Sequence, residues 1–431
     1  MEKFISTVNR LEGVIRVPSD KSISHRAIIL SSLASGKSEV RNFLKAGDTL
    51  TTLNSYRKLG VRIEEESRVI HVYGNGLFGL KEPEDILDMG NSGTTTRLTI
   101  GVLSGQSFFS AVTGDDSLRR RPMRRVVDPL RMMGAQIDGR NKGNNLPLSI
   151  RGGKLKGIEF HNERSSAQVK SALLLAGLYG DRITTVVEPV ISRDHTEKML
   201  IGMGVNLQVE QREDGYRVSV SNVEKLESMS ISVPADPSSA AFFVAAATIV
   251  KGSEVILKDV LVNPTRDGFF KKLKEMGADI EYINIRNEAG EVVADLVVRS
   301  ADLKATKVVK EEVPSMVDEI PLLAIVATQA EGETVITGAD ELRVKESDRI
   351  KAVVNNLRAL KMEVEELEDG MIIKGGQKVK GGTVDSYKDH RIAMGFAVLG
   401  LIADEGIKIK DADCVYISYP EFFKHLQELS K

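Results

Sequence analysis

The sequence predicts an α/β repeat protein (α+β in the order of its repeats). It predicts two similar lobes, each of three βαβαββ units with buried parallel helices. Two recurrences predict this. In the first, an apolar helix-like run ends at a glycine and a β-branched stretch follows. This happens at Gly36, Gly105, Gly180, Gly252, Gly332 and Gly406, which are spaced 69 to 80 residues apart. A period this regular marks a repeat architecture. In the second, RKLGVRI, RMMGAQI, IGMGVNL and KEMGADI place Gly60, Gly134, Gly204 and Gly277 between the glycines of the first set, and RALKMEV is a fifth copy with Lys361 in the glycine position. Glycine just past a helix supplies the left-handed residue that ends it, so a strand can start at once.

Each unit therefore reads strand, buried helix, strand, amphipathic helix, strand, strand, over roughly 70 residues. A sixth amphipathic helix fits Phe422–Leu429, but no strand follows it before Lys431. The expectation is that an N-terminal strand, Gly13–Val17, supplies the missing one, so that both chain ends share a lobe. A chain of 431 residues is too long for one ordinary core. Three repeats per lobe divides it at 18–235 for one lobe, with 1–17 plus 236–431 forming the other. Pro18 and Pro234 interrupt the pattern at the expected crossings, 16–20 and 233–236.

A hydrophobic fraction of 42% with 28% charged residues describes a soluble globular chain. A net charge of −2 offers no overall field for nucleic acid or an anionic membrane, so any basic site must be local. One cysteine, Cys414, excludes internal disulfides and fits a reducing compartment. The first residues show neither an apolar leader core nor an arginine-rich transit pattern. The longest apolar run, Ala240–Val250, is much shorter than the ~20 residues of a membrane span and reads as a buried helix. The expectation is a cytoplasmic monomer that uses no membrane and no nucleic acid.

Two glycine patterns mislead. Gly74 to Gly79 matches a dinucleotide fingerprint, but no helix follows before Pro83, so it reads as a turn between strands. Gly36-Lys37-Ser38 resembles the end of a P-loop, but it follows a helix and opens a strand, the reverse of a P-loop. No histidine pair has zinc-site spacing and Cys414 has no partner, so the sequence signals no metal and no cofactor.

The chemistry-bearing residues precede the buried helices, where helix N-termini offer free backbone N–H groups to anions. Ser19 to Arg26 bring Lys21, Ser22 and Arg26 to the first. Gly90 to Arg97 contain Gly93, which lets a ligand approach the backbone. Asp115 to Pro122 carry Arg119, Arg120 and Arg121, whose planar forks suit carboxylates. Ser165-Ser166-Ala167-Gln168 follows, with Ser192-Arg193 in the next loop. Pro234 to Ser239 hold no cation and read as a cap and a crossing. The C-terminal half adds Asp318-Glu319, Arg343 to Arg349 and Lys388 to Arg391. Mixed signs this dense also occur on solvated helix faces. Their equivalent places in one repeat favour a shared role. Three parallel helices per lobe would point their N-termini the same way, and two such lobes facing each other would line an anion cleft.

These clusters resemble those of the 5-enolpyruvylshikimate-3-phosphate synthases (3-phosphoshikimate 1-carboxyvinyltransferases), a branch of the enolpyruvyl transferases. The resemblance rests on KSISHR at 21–26, GNSGTTTR at 90–97, TGDDSLRRRP at 113–122, SSAQ at 165–168, RVKESDR at 343–349 and DHRIAM at 389–394, in order along essentially the whole chain. It implies an inside-out α/β barrel in each lobe and an enzyme of the shikimate pathway to chorismate and the aromatic amino acids. It implies that Lys21, Ser22, Arg26, Ser166, Gln168, Ser192, Asp318 and Lys345 contact shikimate-3-phosphate. Lys21, Gly93, Arg121, Gln168, Arg349 and Arg391 would hold phosphoenolpyruvate. Asp318 would take the attacking hydroxyl's proton, Glu346 would serve the methylene carbon, and Lys21 would complete the catalytic set. Asp48 and His390 would support these contacts from behind. The chain departs from some members at Ala167, where a serine stands, and at Ile417, where a lysine stands.

The implied reaction joins the 5-hydroxyl of shikimate-3-phosphate to the central carbon of phosphoenolpyruvate and expels phosphate. Two carboxylates can divide the proton work, with cations and helix N-termini already in place for two anionic substrates. Closure of the lobes would shield the adduct from water. One rival is the sister transferase acting on UDP-N-acetylglucosamine, which shares the repeat fold. It usually has asparagine at the position of Ser22 and a cysteine in the loop at 115–121, and this chain has neither. A second rival, a ring-forming clamp on DNA, would need a broadly basic inner face.

Overall fold

The architecture follows from which helices can be buried on every side. The structure is a computed structural model that describes every residue except Asp214. The chain divides into two units: Ser19–Val233 with Glu288–Gly290 (the first unit), and Met1–Pro18 with Pro234–Asn287 and Glu291–Lys431 (the second unit). Among the described residues, twelve helices have eight residues or more. The first unit holds α1 (Lys21–Leu33), α2 (Gly47–Lys58), α3 (Gly93–Ser104), α4 (Arg124–Met132), α5 (Ala167–Gly177) and α6 (His195–Gly202). The second holds α7 (Pro237–Ile249), α8 (Gly268–Glu275), α9 (Ile320–Ala327), α10 (Arg349–Ala359), α11 (His390–Gly400) and α12 (Phe422–Leu429).

Nearly every residue of the odd-numbered helices is buried. A helix apolar all round has no face for water, so only its ends can carry polar chemistry. Four of those N-terminal ends are capped by side chains. Asp20 accepts from the Ile23 N–H at 2.7 Å, Ser92 from Thr95 at 3.1 Å, and Asp389 from Arg391 at 3.0 Å. Such caps contribute about 0.5–2 kcal/mol each. No helix among the described residues is long and apolar enough to cross a membrane.

Six small sheets accompany the helices among the described residues, three in each unit. Each four-stranded sheet has one strand order. In the first unit Leu87–Asp88 runs parallel to Phe109–Thr113, which pairs antiparallel with Asn145–Arg151, itself antiparallel to Gln136–Gly139. In the second unit the same order joins Lys307–Val308, Glu333–Ile336, Met371–Lys374 and Val364–Glu366.

The edge strands beside the two crossings are exchanged. Glu12–Ile15, which precedes α1 in the chain, is the parallel edge of Glu254–Leu261 in the second unit. Ser230–Ser232, which precedes α7, is a parallel edge of Ala34–Arg41 in the first. The expectation that Gly13–Val17 completes the sixth repeat is thereby corrected. That strand serves the fourth repeat, and Lys3–Ile5 pairs antiparallel with Ile407–Lys410 to complete the sixth sheet.

The first glycine set is also corrected. The buried helices end one to six residues before these positions, at Leu33, Ser104, Gly177, Ile249, Ala327 and Gly400, and of the six glycines Gly105 alone is the residue that caps its helix. Gly36 lies inside a strand, and Gly252, Gly332 and Gly406 stand just before one. These four adopt positive φ of 109°, 74°, 102° and 70°, so their conformational freedom turns the chain into the strand rather than ending the helix. The second set behaves as expected: Gly60, Gly134, Gly204 and Gly277 all have φ between 85° and 107°, and Lys361 takes the same turn at φ 60°.

The core of the second unit centres on α7. Its Phe243 ring lies 5.6 Å from that of Phe422 on α12 and 5.9 Å from that of Tyr419. Burying one such ring contributes about 1.5–3 kcal/mol. In the first unit, α3 and α5 approach closely at Gly101, where a Cβ would lie 2.4 Å from the Ala172 carbonyl oxygen and 2.9 Å from its Cα. Backbone atoms there cannot yield as a flexible side chain would. Gly101→Ala is therefore expected to destabilise the protein by about 1–3 kcal/mol, whereas Gly202→Ala, with nothing within 4 Å of the added carbon, is expected to be neutral or slightly stabilising. Urea denaturation of both variants checks the contrast.

Candidate active site

In the first unit the polar ends of the buried helices are joined by one run of buried hydrogen bonds. Lys21 opens α1 and forms an ion pair with Asp48 in the first turn of α2. His25, one turn on, shares a 2.7 Å hydrogen bond between its Nδ1 and Thr52 Oγ1. Thr52 is 2.6 Å from Thr95 Oγ1, which donates at 2.7 Å to Ser92, the cap of α3. Arg26 donates from Nε to Thr196 Oγ1 at 2.6 Å, from Nη2 to Ser171 Oγ at 2.7 Å, and from Nη1 to the Ser22 carbonyl at 3.1 Å. It is thus held against both α5 and α6.

Gly93 is the first residue of α3. A Cβ placed there would lie 2.8 Å from Arg97 Nη1 and 3.5 Å from Arg121 Nη1, so glycine leaves room for two guanidinium groups. Arg97 donates to Gln168 Oε1 at 2.5 Å and to the Pro122 carbonyl at 3.2 Å, tying α3 to α5 and to the arginine loop. Gln168 donates in turn to Thr94 Oγ1 at 3.0 Å. Arg121 is oriented by Asn91, through its Oδ1 at 2.7 Å and its carbonyl at 3.3 Å. Ser166 caps α5 by position, and its carbonyl accepts from Asn162 at 3.0 Å. Ser192 is buried, 2% exposed, and its hydroxyl donates to Glu188 at 2.8–2.9 Å. An anion contact from Ser192 would require that hydroxyl to turn away from Glu188.

The second unit gathers charges of both signs around Asp318, two residues before α9. Its carboxylate lies 3.2 Å from Arg349 Nη1, 3.8 Å from Lys345 Nζ and 3.8 Å from Arg391 Nη2. Arg349 opens α10 and is only 1% exposed. It also meets Glu346 at 2.7 Å and Asp389 at 2.8 Å. Arg391 Nη1 lies 3.5 Å from Glu319. His390, the first residue of α11, is buried beside Asp389.

The electrostatics follow from this burial. Burial alone would lower the Arg349 pKa, but Asp389, Glu346 and Asp318 raise it above its ordinary value. Burial alone would raise Asp389, and Arg349 holds it below the usual carboxylate range. Burial pushes the Cys414 thiol up to about 11, so it is no nucleophile. Burial, with the positive charge of Lys21, lowers His25 to about 3.

The sequence-predicted residues thus form two groups. Lys21, Ser22, Arg26, Asp48, Gly93, Arg121, Ser166, Gln168 and Ser192 belong to the first unit, and Asp318, Lys345, Glu346, Arg349, His390 and Arg391 to the second. Sequence reasoning missed the residues that hold these in place: Arg97 and Asn91 in the first unit, Asp389 in the second. Each lies inside a quoted motif, but its partner is far away in the chain. The fourth buried helix also has a cation that local sequence hides. Arg266 is buried and donates to Asp236 at 3.2 Å and Ser238 at 3.1 Å, from about thirty residues downstream.

Comparison with known proteins bears on this arrangement. Residues 5–426 match the family model described as EPSP synthase (3-phosphoshikimate 1-carboxyvinyltransferase). The chain belongs to the EPSP synthase family. It is 70% identical to a 3-phosphoshikimate 1-carboxyvinyltransferase of Sulfurihydrogenibium sp. (strain YO3AOP1), over 100% of both chains. It is 53% identical to the corresponding protein of Aquifex aeolicus, over 98% of each. Among solved structures, EPSP synthase from Acinetobacter baumannii superposes with a TM-score of 0.87 at 42% identity, covering 100% of this chain and 98% of that one. The enolpyruvyl transferase NikO from Streptomyces tendae superposes at 0.77 with 14% identity, over 99% and 96%, a likeness of fold alone. The fold is that of the enolpyruvyl transferases.

The buried network of the first unit generates a pH dependence. His25 is neutral when folded down to about pH 3, while in the unfolded chain it takes up a proton near its ordinary 6.5. Below about pH 6.5 the unfolded state therefore binds more protons, and stability falls by up to about 1.4 kcal/mol per pH unit from this residue. His25→Asn is expected to flatten that acid limb, measured as the difference in unfolding free energy between about pH 7 and about pH 4.5.

Proposed function

We propose that this chain transfers the enolpyruvyl group of phosphoenolpyruvate to the 5-hydroxyl of shikimate-3-phosphate and releases phosphate, the step of the shikimate pathway that leads to chorismate and the aromatic amino acids. One observation supports this beyond family membership: Asp318 touches Lys345, Arg349 and Arg391 at once, so an acid–base carboxylate sits inside a ready-made anion clamp. We place the reaction in the cytoplasm and in a monomer.

In this reading Lys21, Ser22, Arg26, Ser166 and Gln168 receive shikimate-3-phosphate, with Asp318 and Lys345, and with Ser192 once its hydroxyl turns. Lys21, Gly93, Arg121, Gln168, Arg349 and Arg391 receive phosphoenolpyruvate. Asp318 accepts the proton of the 5-hydroxyl as its oxygen attacks the central carbon, while Glu346 delivers a proton to the methylene carbon. The product is a tetrahedral adduct. Return of the methyl proton to Glu346 restores the double bond and expels phosphate, and cations stabilise the leaving oxygen. Arg349 is already occupied by Glu346 at 2.7 Å. An incoming anion that displaces Glu346 from Arg349 therefore gains a cation and frees the acid–base group in one exchange. Asp48 and His390 support Lys21 and Asp389 from behind.

The direct test is phosphate release from phosphoenolpyruvate. It is expected with shikimate-3-phosphate and not with UDP-N-acetylglucosamine, and the opposite preference overturns the reading. Asp318→Ala is expected to lower turnover by about 10²–10⁴-fold while leaving the unfolding midpoint little changed. Gly93→Ala crowds Arg97 and Arg121, so it is expected to raise KM for phosphoenolpyruvate severalfold with a smaller effect on shikimate-3-phosphate; steady-state kinetics with each substrate varied in turn checks this.

A further inference from the structure

Three ionisable side chains lie together in the interior of the first unit, and none of them has a part in the reaction described above. Lys170 on α5 and Glu188 at the end of the strand Thr184–Glu188 are both 0% exposed, and Glu197 on α6 is 3% exposed. Lys170 Nζ lies 2.9 Å from Glu188 and 2.7 Å from Glu197. Burying charges costs several kcal/mol each unless they are closely paired and hydrogen-bonded. A fold that keeps three here needs a reason.

The partners supply one. Glu188 accepts the backbone N–H of Ser192 at 3.1 Å and its hydroxyl at 2.8–2.9 Å, while Lys170 donates to the Ser192 carbonyl at 3.1 Å. The pair thus holds every polar group of Ser192. The neighbouring residues in sequence hold Arg26. Ser171, next to Lys170, and Thr196, next to Glu197, lie 2.7 Å apart and accept from Arg26 at 2.7 and 2.6 Å. The Lys170–Glu197 ion pair ties α5 to α6 one residue away from that seat.

One ammonium and two carboxylates would leave a net negative charge in the interior. Glu188 accepts from Lys170, from Ser192 and from Asn162 at 2.7 Å, whereas Glu197 Oε2 has no hydrogen-bond partner among the described residues. Burial raises the Glu197 carboxyl above its ordinary range against the pull of Lys170. Lys170 stays protonated because the two carboxyl groups outweigh its burial. Glu188 therefore carries the side-chain hydrogen bonds to Ser192, and Glu197 makes none to it.

We propose that Lys170 and Glu188 form a positioning pair that sets Ser192 for the phosphate-bearing ring substrate. This rests on the functional reading above, in which Arg26 and Ser192 serve shikimate-3-phosphate. The test is calorimetric binding of shikimate-3-phosphate, with KM measured for both substrates, in the full-length chain and its variants. Glu188→Gln is expected to weaken shikimate-3-phosphate binding about tenfold or more and to leave KM for phosphoenolpyruvate within about threefold. Glu197→Gln is expected to leave both within about twofold. Glu188→Gln/Ser192→Ala is expected to be no worse than Glu188→Gln alone, since both act through one residue.

The triple variant Lys170→Met/Glu188→Gln/Glu197→Gln removes every charge of the cluster, is expected to fold, and should retain the binding defect. If that variant binds shikimate-3-phosphate as the wild type does, the proposal is overturned. Unchanged shikimate-3-phosphate binding in Glu188→Gln overturns the proposal, as does an equal loss for both substrates. A wild-type chain that itself fails to bind shikimate-3-phosphate overturns the functional reading instead.

Discussion

The organising constraint is that a helix buried on every side can meet water or a ligand only at its ends. In the odd-numbered helices the charged residues stand in the first two turns, and beyond these the polar side chains are serines and threonines. Apolar burial then has a chemical consequence. It concentrates Lys21, Arg26, Gly93, Gln168 and Arg391 near helix starts, where backbone N–H groups already favour negative charge. Stability and binding chemistry thus come from opposite ends of the same elements.

A second regularity is that each cation is oriented by a neutral or acidic partner before any ligand arrives. Asn91 orients Arg121, Ser171 and Thr196 orient Arg26, and Asp389 orients Arg349. Such preorganisation is what electrostatic catalysis requires, because reorienting donors during the reaction would cost the energy they are meant to supply. It also explains why carboxylates are so frequent in an anion site. Without them Arg349, almost wholly buried, would be an isolated charge in a low-dielectric interior.

Local periodicity made the repeat, the helix order and most of the motif-bearing residues legible in the sequence. The C′ glycines were legible because their conformation is a local requirement, and Lys361 at φ 60° shows that the requirement outlasts the glycine. What was not legible depends on partners far along the chain. Nothing near Gly13 says that its strand belongs beside Val255 rather than beside Ile407, because both pairings satisfy the same alternation. Nothing near Lys170 announces Glu188 and Glu197; on a helix drawn from sequence, it is one lysine in an apolar run. Arg266 escaped for the same reason, lying about thirty residues from the cap it joins. Of the first glycine set, Gly105 caps its helix while Gly36, Gly252, Gly332 and Gly406 turn the chain into a strand, since a glycine between helix and strand can serve either neighbour.

The exchange of edge strands has a consequence for biosynthesis. Residues 19–233 form one uninterrupted stretch and leave the ribosome together. The N-terminal strands must wait, Glu12–Ile15 for Glu254–Leu261 and Lys3–Ile5 for Ile407–Lys410. At about 5–20 residues per second, that wait is on the order of tens of seconds. During it the nascent chain carries unpaired strand edges, the kind of surface on which holding chaperones act. Both ends are held in the second unit: the Lys431 N–H donates to the Arg10 carbonyl at 3.0 Å, and the Met1 ammonium lies 3.0 Å from Asp413. A circular permutant that joins them and opens the chain between Pro18 and Ser19 would synthesise each unit as a nearly unbroken stretch and remove the delay.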